Sequence, residues 1–201
     1  GRILRDFEER SWIRRVDGGY VATVTGELVA EGVLDLVSIL EVETSLRDVV
    51  PYLPAGALDF DLRRLADATV TVPSATKPNA PVQRLLELLR DAETVRVTSH
   101  AFNEDSLRIL ERRVSAGEST FEGVFSPSAI DGVADDPDLR RRLDALLGAP
   151  DATVRVREGE IPLAVTIADD VVHLLLRDEN GVLRASIDTD DAAVRTWARE
   201  T

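Results

Sequence analysis

The chain has no cysteine, which excludes disulfides and any cysteine-ligated metal site. It has no methionine, and Lys77 is the only lysine among 24 basic residues. Histidine is nearly as scarce, with His100 and His173 alone. With so few imidazoles, the pairs Asp135-Asp136, Asp169-Asp170 and Asp190-Asp191 read as hydration sites and helix caps rather than metal ligands. No metal and no cofactor is expected. Glycines are scattered, so no phosphate-cradling loop is present. No apolar run reaches the roughly 18 residues of a membrane span, and no signal peptide is visible. A cytoplasmic protein without a membrane partner is expected.

Positive charge is also in short supply, at 24 basic against 37 acidic residues and a net charge of −13. It is not spread evenly. Residues 1–25 carry five arginines against four acids, so the other 176 residues sum to −14. An acidic body repels nucleic acid, which confines any DNA contact to the N-terminal end. At 44% hydrophobic residues the chain can bury a core. Its 201 residues suit one ordinary domain and a small additional piece.

The N-terminal stretch is the most informative. Ile3, Leu4 and Phe7 fall on one helical face, with Arg2, Arg5, Glu8, Glu9 and Arg10 on the other. Trp12–Val16 reads as a strand, Asp17-Gly18-Gly19 as a tight turn and Tyr20–Val24 as the returning strand. Thr25 is the expected N-cap of a following helix. The run LRDFEER followed by SWIRRVDGGYVATVTGELVAEG resembles the recognition helix and wing of archaeal winged-helix regulators of the ArsR-like kind, with Ser11 where that family commonly has glycine. The resemblance implies that Arg2 and Arg5 belong to a recognition helix, and that Arg14, Arg15 and the tip with Gly18 and Tyr20 follow the phosphates of double-stranded DNA. It also implies that short helices precede Gly1. A solvated helix beside a hairpin in an unrelated α/β domain is the plainer alternative.

Residues 26–50 read as one long helix with a broad apolar stripe, either a dimerisation helix or a helix of the chain's own core. Pro51–Gly56 breaks it. Beyond lie a short helix at Asp59–Ala66, a strand at Ala68–Val72, and then an alternation of helices (Val82–Asp91, Glu104–Ala116, Pro127–Gly132, Pro137–Leu147) with strands (Thr94–Thr98, Ser119–Phe125, Ala152–Arg157). Leu163–Ala168, Val171–Leu176 and Leu183–Asp188 are joined by turn-like Asp169-Asp170 and Asp178–Gly181, which predicts an antiparallel meander. A helix at Asp190–Glu200 closes the chain. The fold class is α/β with a mixed sheet.

The stretch 51–201 resembles the effector domain of archaeal regulators named after a methanogenesis regulator (FilR-like). The matching phrases are LDFDLRRLADATVTVPSATKPNAPVQRLLELLRDAETVRV, VFSPSAIDGVADDPDLRRRL and VREGEIPLAVTIADDVVHLLLRDENGVLRASIDTDDAAVRTWA. Such domains are similar in outline to half of a phospholipase-D-like fold, recruited for ligand sensing. The implied organisation is a winged-helix remnant at 1–25, a linker or dimerisation helix at 26–50 and a sensor domain at 51–201. Asp outnumbers Glu 21 to 16, and this lysine-poor, aspartate-rich composition resembles that of halophilic archaea.

A phospholipase-D-type hydrolase needs a His-x-Lys pair followed by Asp. Here Ile161-Pro162-Leu163-Ala164 stands near the expected place ahead of Asp169-Asp170, so that chemistry is rejected. Ser126-Pro127-Ser128 lacks a nucleophile elbow. His173, in mid-strand, reads as a core residue. His100, Phe102, Asn103, Ser126, Ser128 and Glu158, with Arg157 and Glu160, sit where strand ends face each other and could line a pocket for a small-molecule effector. They are equally readable as plain loops, with Asn103 and Ser126 as N-caps. The expected function is a homodimeric, ligand-responsive transcriptional regulator. The alternatives are a stand-alone ligand-binding module or, less favoured, the hydrolase.

Overall fold

The computed structural model describes residues 1–54 and 56–201. The chain divides into two compact units, Gly1–Ser45 and Leu46–Thr201. The division falls inside the 26–50 segment, so most of that helix groups with the hairpin.

In the first unit, α1 (Arg2–Glu9) is followed by β1 (Ile13–Val16), β2 (Gly19–Ala22) and α2 (Val24–Leu46). The two strands pair antiparallel, with Arg15 opposite Tyr20 and Arg14 opposite Val21. They form a two-stranded sheet of their own. Helix α1 ends in a Schellman turn, in which the Trp12 N–H donates to the Phe7 carbonyl and the Ser11 N–H to the Glu8 carbonyl, each at 2.9 Å. Ser11 takes the left-handed conformation this turn demands, φ +57°. The N-cap of α2 is Thr23, not Thr25. Its Oγ1 accepts from the Gly26 N–H at 3.0 Å while donating to the Ser11 carbonyl at 2.5 Å, so the hairpin's own bonds select the cap. Helix α2 is apolar around most of its girth, and Val24, Leu28, Leu34, Leu36 and Leu40 are exposed. It ends at Leu46 rather than Val50, where the chain tightens ahead of Pro51 through a Val49 N–H to Leu46 carbonyl bond of 2.8 Å.

The second unit is built on seven strands: β3 (Thr69–Thr71), β4 (Thr94–Ser99), β5 (Thr120–Phe125), β6 (Ala152–Val156), β7 (Ala164–Ala168), β8 (Val171–Arg177) and β9 (Leu183–Thr189). Their order is β3-β9-β8-β7-β4-β5-β6. Strands β4, β5 and β6 are parallel, whereas β4–β7, β7–β8, β8–β9 and β3–β9 pair antiparallel. The mixed sheet and the terminal meander follow the sequence pattern. The helices are α3 (Ala80–Asp91), α4 (Glu104–Ser115), α5 (Pro127–Ala134), α6 (Pro137–Leu147) and α7 (Ala192–Glu200). The expected helix at 59–66 is only a 3-10 turn, Leu62–Leu65, because Asp61 accepts from the Arg63 N–H at 2.9 Å and caps it there. Helix α7 is capped by Asp191.

Residues alternate between the faces of each strand. Val95, Phe121 and Phe125 pack with Leu85, Leu89, Leu107, Leu110 and Leu146 of the helices into one core. Helix α7 packs on β7 and β8 with Val194 and Ala198 buried. Asp169, at φ +52° in the β7–β8 turn, accepts from the Thr94 N–H at 2.8 Å and the Glu93 N–H at 3.0 Å, pinning the start of β4 to the meander.

Candidate functional site

The hairpin of the first unit exposes Arg14, Arg15, Gly18 and Tyr20, and α1 exposes Arg2 and Arg5. Gly18 turns the ribbon at φ +93°. Because neighbours along a strand face opposite ways, Arg15 shares a ribbon face with Tyr20 and Arg14 shares the other with Val21. The two arginines therefore lie on opposite faces of the ribbon. Phe7 and Trp12 pack at a ring-centroid distance of 5.4 Å and brace the hairpin against α1.

In the second unit, strand ends and helix starts enclose two adjoining cavities. The inner one, of about 110 Å³, is lined by His100, Phe102, Asn103, Phe125 and Leu175 among others. The outer one, of about 420 Å³, holds Ser126, Ser128, Glu160, Pro162 and Asp178. His100, Leu175 and Arg177 border both. Phe102 and Phe125 stack, centroids 3.9 Å apart and planes at 17°. Gly123 makes room for the Phe125 ring, since a Cβ there would lie 2.5 Å from it. Asn103 is also the N-cap of α4, accepting from the Ser106 N–H at 2.9 Å. Ser126 caps α5, with its hydroxyl 2.9 Å from that of Ser128. Capping and lining are thus combined in the same side chains.

Glu158 is exposed and lines neither of these cavities, whereas Glu160 does. Gly159 between them, at φ +100°, turns the chain. Arg157 is drawn off as well, donating to the carbonyl of Thr201 at 2.8 Å. The sequence reading missed Arg177 and the inner wall of Leu85, Leu89 and Leu175. The one available signal was an arginine ending the apolar run VVHLLL.

Burial, with the nearby Arg177 guanidinium, pushes the His100 imidazole below its usual range, against a hydrogen bond with the Ile161 backbone. Its Nδ1 is buried without a partner. The Ser99 hydroxyl bonds to the Ala101 backbone at 2.9 Å rather than to His100. Ile161–Ala164, near where a His-x-Lys pair is expected, contains neither residue, and Asp169 is committed to backbone N–H groups. Among the described residues no group of three or more His, Asp or Glu could hold a metal ion.

His173 is buried in the sheet, its Nδ1 2.6 Å from Asp188 Oδ1, and Arg84 Nε donates to Asp188 Oδ2 at 2.5 Å. Burial alone would raise the Asp188 pKa, but the hydrogen bond to His173 and the Arg84 charge outweigh it and hold the carboxyl below its ordinary value. No helix is long and apolar enough to cross a membrane among the described residues.

Residues 78–201 match the family model described as the methanogenesis regulatory protein FilR1, middle domain. Residues 1–45 match the model described as the HVO_A0261 N-terminal domain. No curated protein matches the chain. Among solved structures it is similar to TrmBL2, an archaeal chromatin protein whose structure shows a novel mode of DNA binding, at 12% identity and a TM-score of 0.45, covering 99% of this chain and 76% of that one. It is also similar to NucT from Helicobacter pylori (15% identity, TM-score 0.47, 66% of this chain and 93% of that one). Nuc of Salmonella typhimurium, a phospholipase D family member, matches at 13% identity and a TM-score of 0.46 over the same shares, 66% and 93%. At these identities and scores none of the three likenesses bears on what the chain binds or does.

Proposed function

Because the chain belongs to the family of the methanogenesis regulatory protein FilR1 middle domain, we propose that it is a DNA-binding transcriptional regulator whose second unit senses a small molecule. The observation that carries this reading is the hairpin, an arginine-bearing ribbon that forms its own two-stranded sheet outside the seven-stranded one. In this reading α1 and the hairpin are the recognition helix and wing of a winged helix. Arg2 and Arg5 lie towards the groove, and Arg14, Arg15, Gly18 and Tyr20 follow the phosphates of double-stranded DNA. The acidic second unit takes no part in that contact. An aspartate-rich, lysine-poor body suits the concentrated salt of a haloarchaeal cell. The Debye length there is about 3 Å or less, so DNA contact rests on short-range bonds.

An effector in the cavities of the second unit alters DNA affinity only to the extent that it prefers one DNA-binding arrangement over another. A helix apolar around most of its girth is normally covered, and a second copy of the chain along α2 would cover it in a homodimer. The hydrolase alternative gains nothing from the stretch Ile161–Ala164, which offers neither nucleophile nor phosphate ligand.

A gel shift with the duplex upstream of the chain's own gene, against an unrelated duplex of equal length, tests the function. Preferential retention of the upstream duplex is expected, and equal or no retention contradicts the reading. Light scattering of the wild type and of Leu34→Glu with Leu40→Glu tests the dimer. The wild type is expected at twice the chain mass and the variant at the chain mass.

A further inference from the structure

Five arginines of the second unit are half-buried. Arg84 pairs with Asp188, Arg113 with Glu118, Arg142 with Glu111 and Arg195 with Asp170. Arg177 is the fifth, and among the described residues no carboxylate stands within ion-pair distance of it. Its Nη1 donates to the Gly181 carbonyl at 2.8 Å, and its Nε is buried without a partner. A partly desolvated guanidinium without a counter-ion is costly. In a chain with 37 acidic residues, it is also out of keeping with its four counterparts.

Arg177 ends β8 in the wall between the two cavities. On the inner side the apolar part of the lining is Leu85, Leu89, Phe102, Phe125 and Leu175, with Ser99, Asn103 and Thr166 among its polar members, around a cavity of about 110 Å³. Apolar cavities of about 150 Å³ take up benzene, so this one accommodates a branched apolar group of roughly four or five carbons. On the outer side Glu160, Asp178 and Glu179 form an acidic rim that opposes a multiply charged anion. His100 beside Arg177 is held neutral, so it neither adds a second cation nor cancels the first.

We propose that the cavity binds a small monocarboxylate, its carboxylate on the Arg177 guanidinium and its short branched chain against Phe102 and Phe125. This rests on reading the cavity as a ligand pocket. The carboxylate supplies the counter-ion that the fold withholds from Arg177, and the stacked rings supply the apolar floor.

Calorimetric titration of the full chain with 4-methylpentanoate, with 4-methylpentanamide and with inorganic phosphate tests it. The acid is expected to bind about tenfold or more tighter than the amide, since a charge-assisted bond is replaced by a neutral one. Phosphate is expected not to bind. Arg177→Gln should bring acid and amide to the same affinity, Arg177→Lys should retain part of the difference, and Phe102→Trp, which fills the inner cavity, should abolish both. Equal binding of acid and amide to the wild type, or preference for phosphate, overturns the carboxylate assignment while the pocket stands. Binding of the acid unchanged in Phe102→Trp places it elsewhere and overturns the proposal. Failure of both acid and amide removes the pocket reading itself.

Discussion

Gly26 lies against the backbone of Trp12 so closely that a Cβ at Gly26 would stand 1.8 Å from the Trp12 carbonyl oxygen. The obstacle is main chain, so no rotamer change can relieve it. Gly26→Ala is expected to force α2 away from the start of the hairpin, at a cost of about 3 kcal/mol to the first unit. Hydrogen exchange should show loss of protection at Ile13–Val16 and Gly19–Ala22. Unchanged protection there would mean that α2 and the hairpin are not held together at this point.

Ser11 occupies a left-handed position, φ +57°, that closes α1. Glycine takes this conformation without the side-chain penalty. Ser11→Gly should therefore stabilise the first unit by about 1 kcal/mol, offset in part by greater freedom of the unfolded chain. Denaturant unfolding followed by Trp12 fluorescence reads the change, and a midpoint shifted downward contradicts the turn assignment.

Asp188 ties β9 to His173 of β8 and Arg84 of α3. Its folded pKa lies below its unfolded one, so the stabilisation it brings is present above about pH 4 and is lost as pH falls through the folded value. Asp188→Asn is expected to cost about 3 kcal/mol near neutral pH, where it removes the buried charge that His173 and Arg84 Nε face and leaves Arg84 only Glu87. Below about pH 4 the difference from the wild type should shrink. Thermal unfolding of both proteins across that range checks the sign. A deficit that grows on acidification would contradict it.

Gly123 touches both Phe125 and Phe121, at 2.5 and 2.9 Å from a built Cβ, and both rings are buried. Gly123→Ala must move Phe125 and break its stacking on Phe102. The expected cost is about 1–3 kcal/mol, with a loss of binding by whatever occupies the inner cavity. A crystal structure of the variant with the Phe102–Phe125 stack intact would contradict this.

Much of the fold was legible because local chemistry agreed with it. Asp17-Gly18-Gly19 could only turn, Asp169-Asp170 and Asp178–Gly181 each joined β-rich runs, and the alternation from Val82 to Val156 matched a parallel half-sheet under helices. The differences fall where a bond or turn from elsewhere decides between neighbours. Thr23 and Thr25 are equivalent as caps in the sequence, and only the hairpin carbonyls of Ser11 and Trp12 distinguish them. Glu158 and Glu160 differ only through the turn at Gly159. Arg177 showed only as a charge ending an apolar run, since its significance is the absence of a carboxylate in three dimensions, which spacing does not encode. Ser11, a departure from glycine in the sequence, stands where a glycine would be least strained.

Whether the hairpin grips DNA phosphates is read from the salt dependence of binding. Fluorescence anisotropy with the labelled upstream duplex should give a steep fall of log K with log salt for the wild type. Arg14→Glu with Arg15→Glu should weaken binding about tenfold or more and flatten the slope by about 1 to 2, roughly 0.9 for each phosphate that is no longer neutralised. The same affinity and slope in both proteins would contradict such a grip.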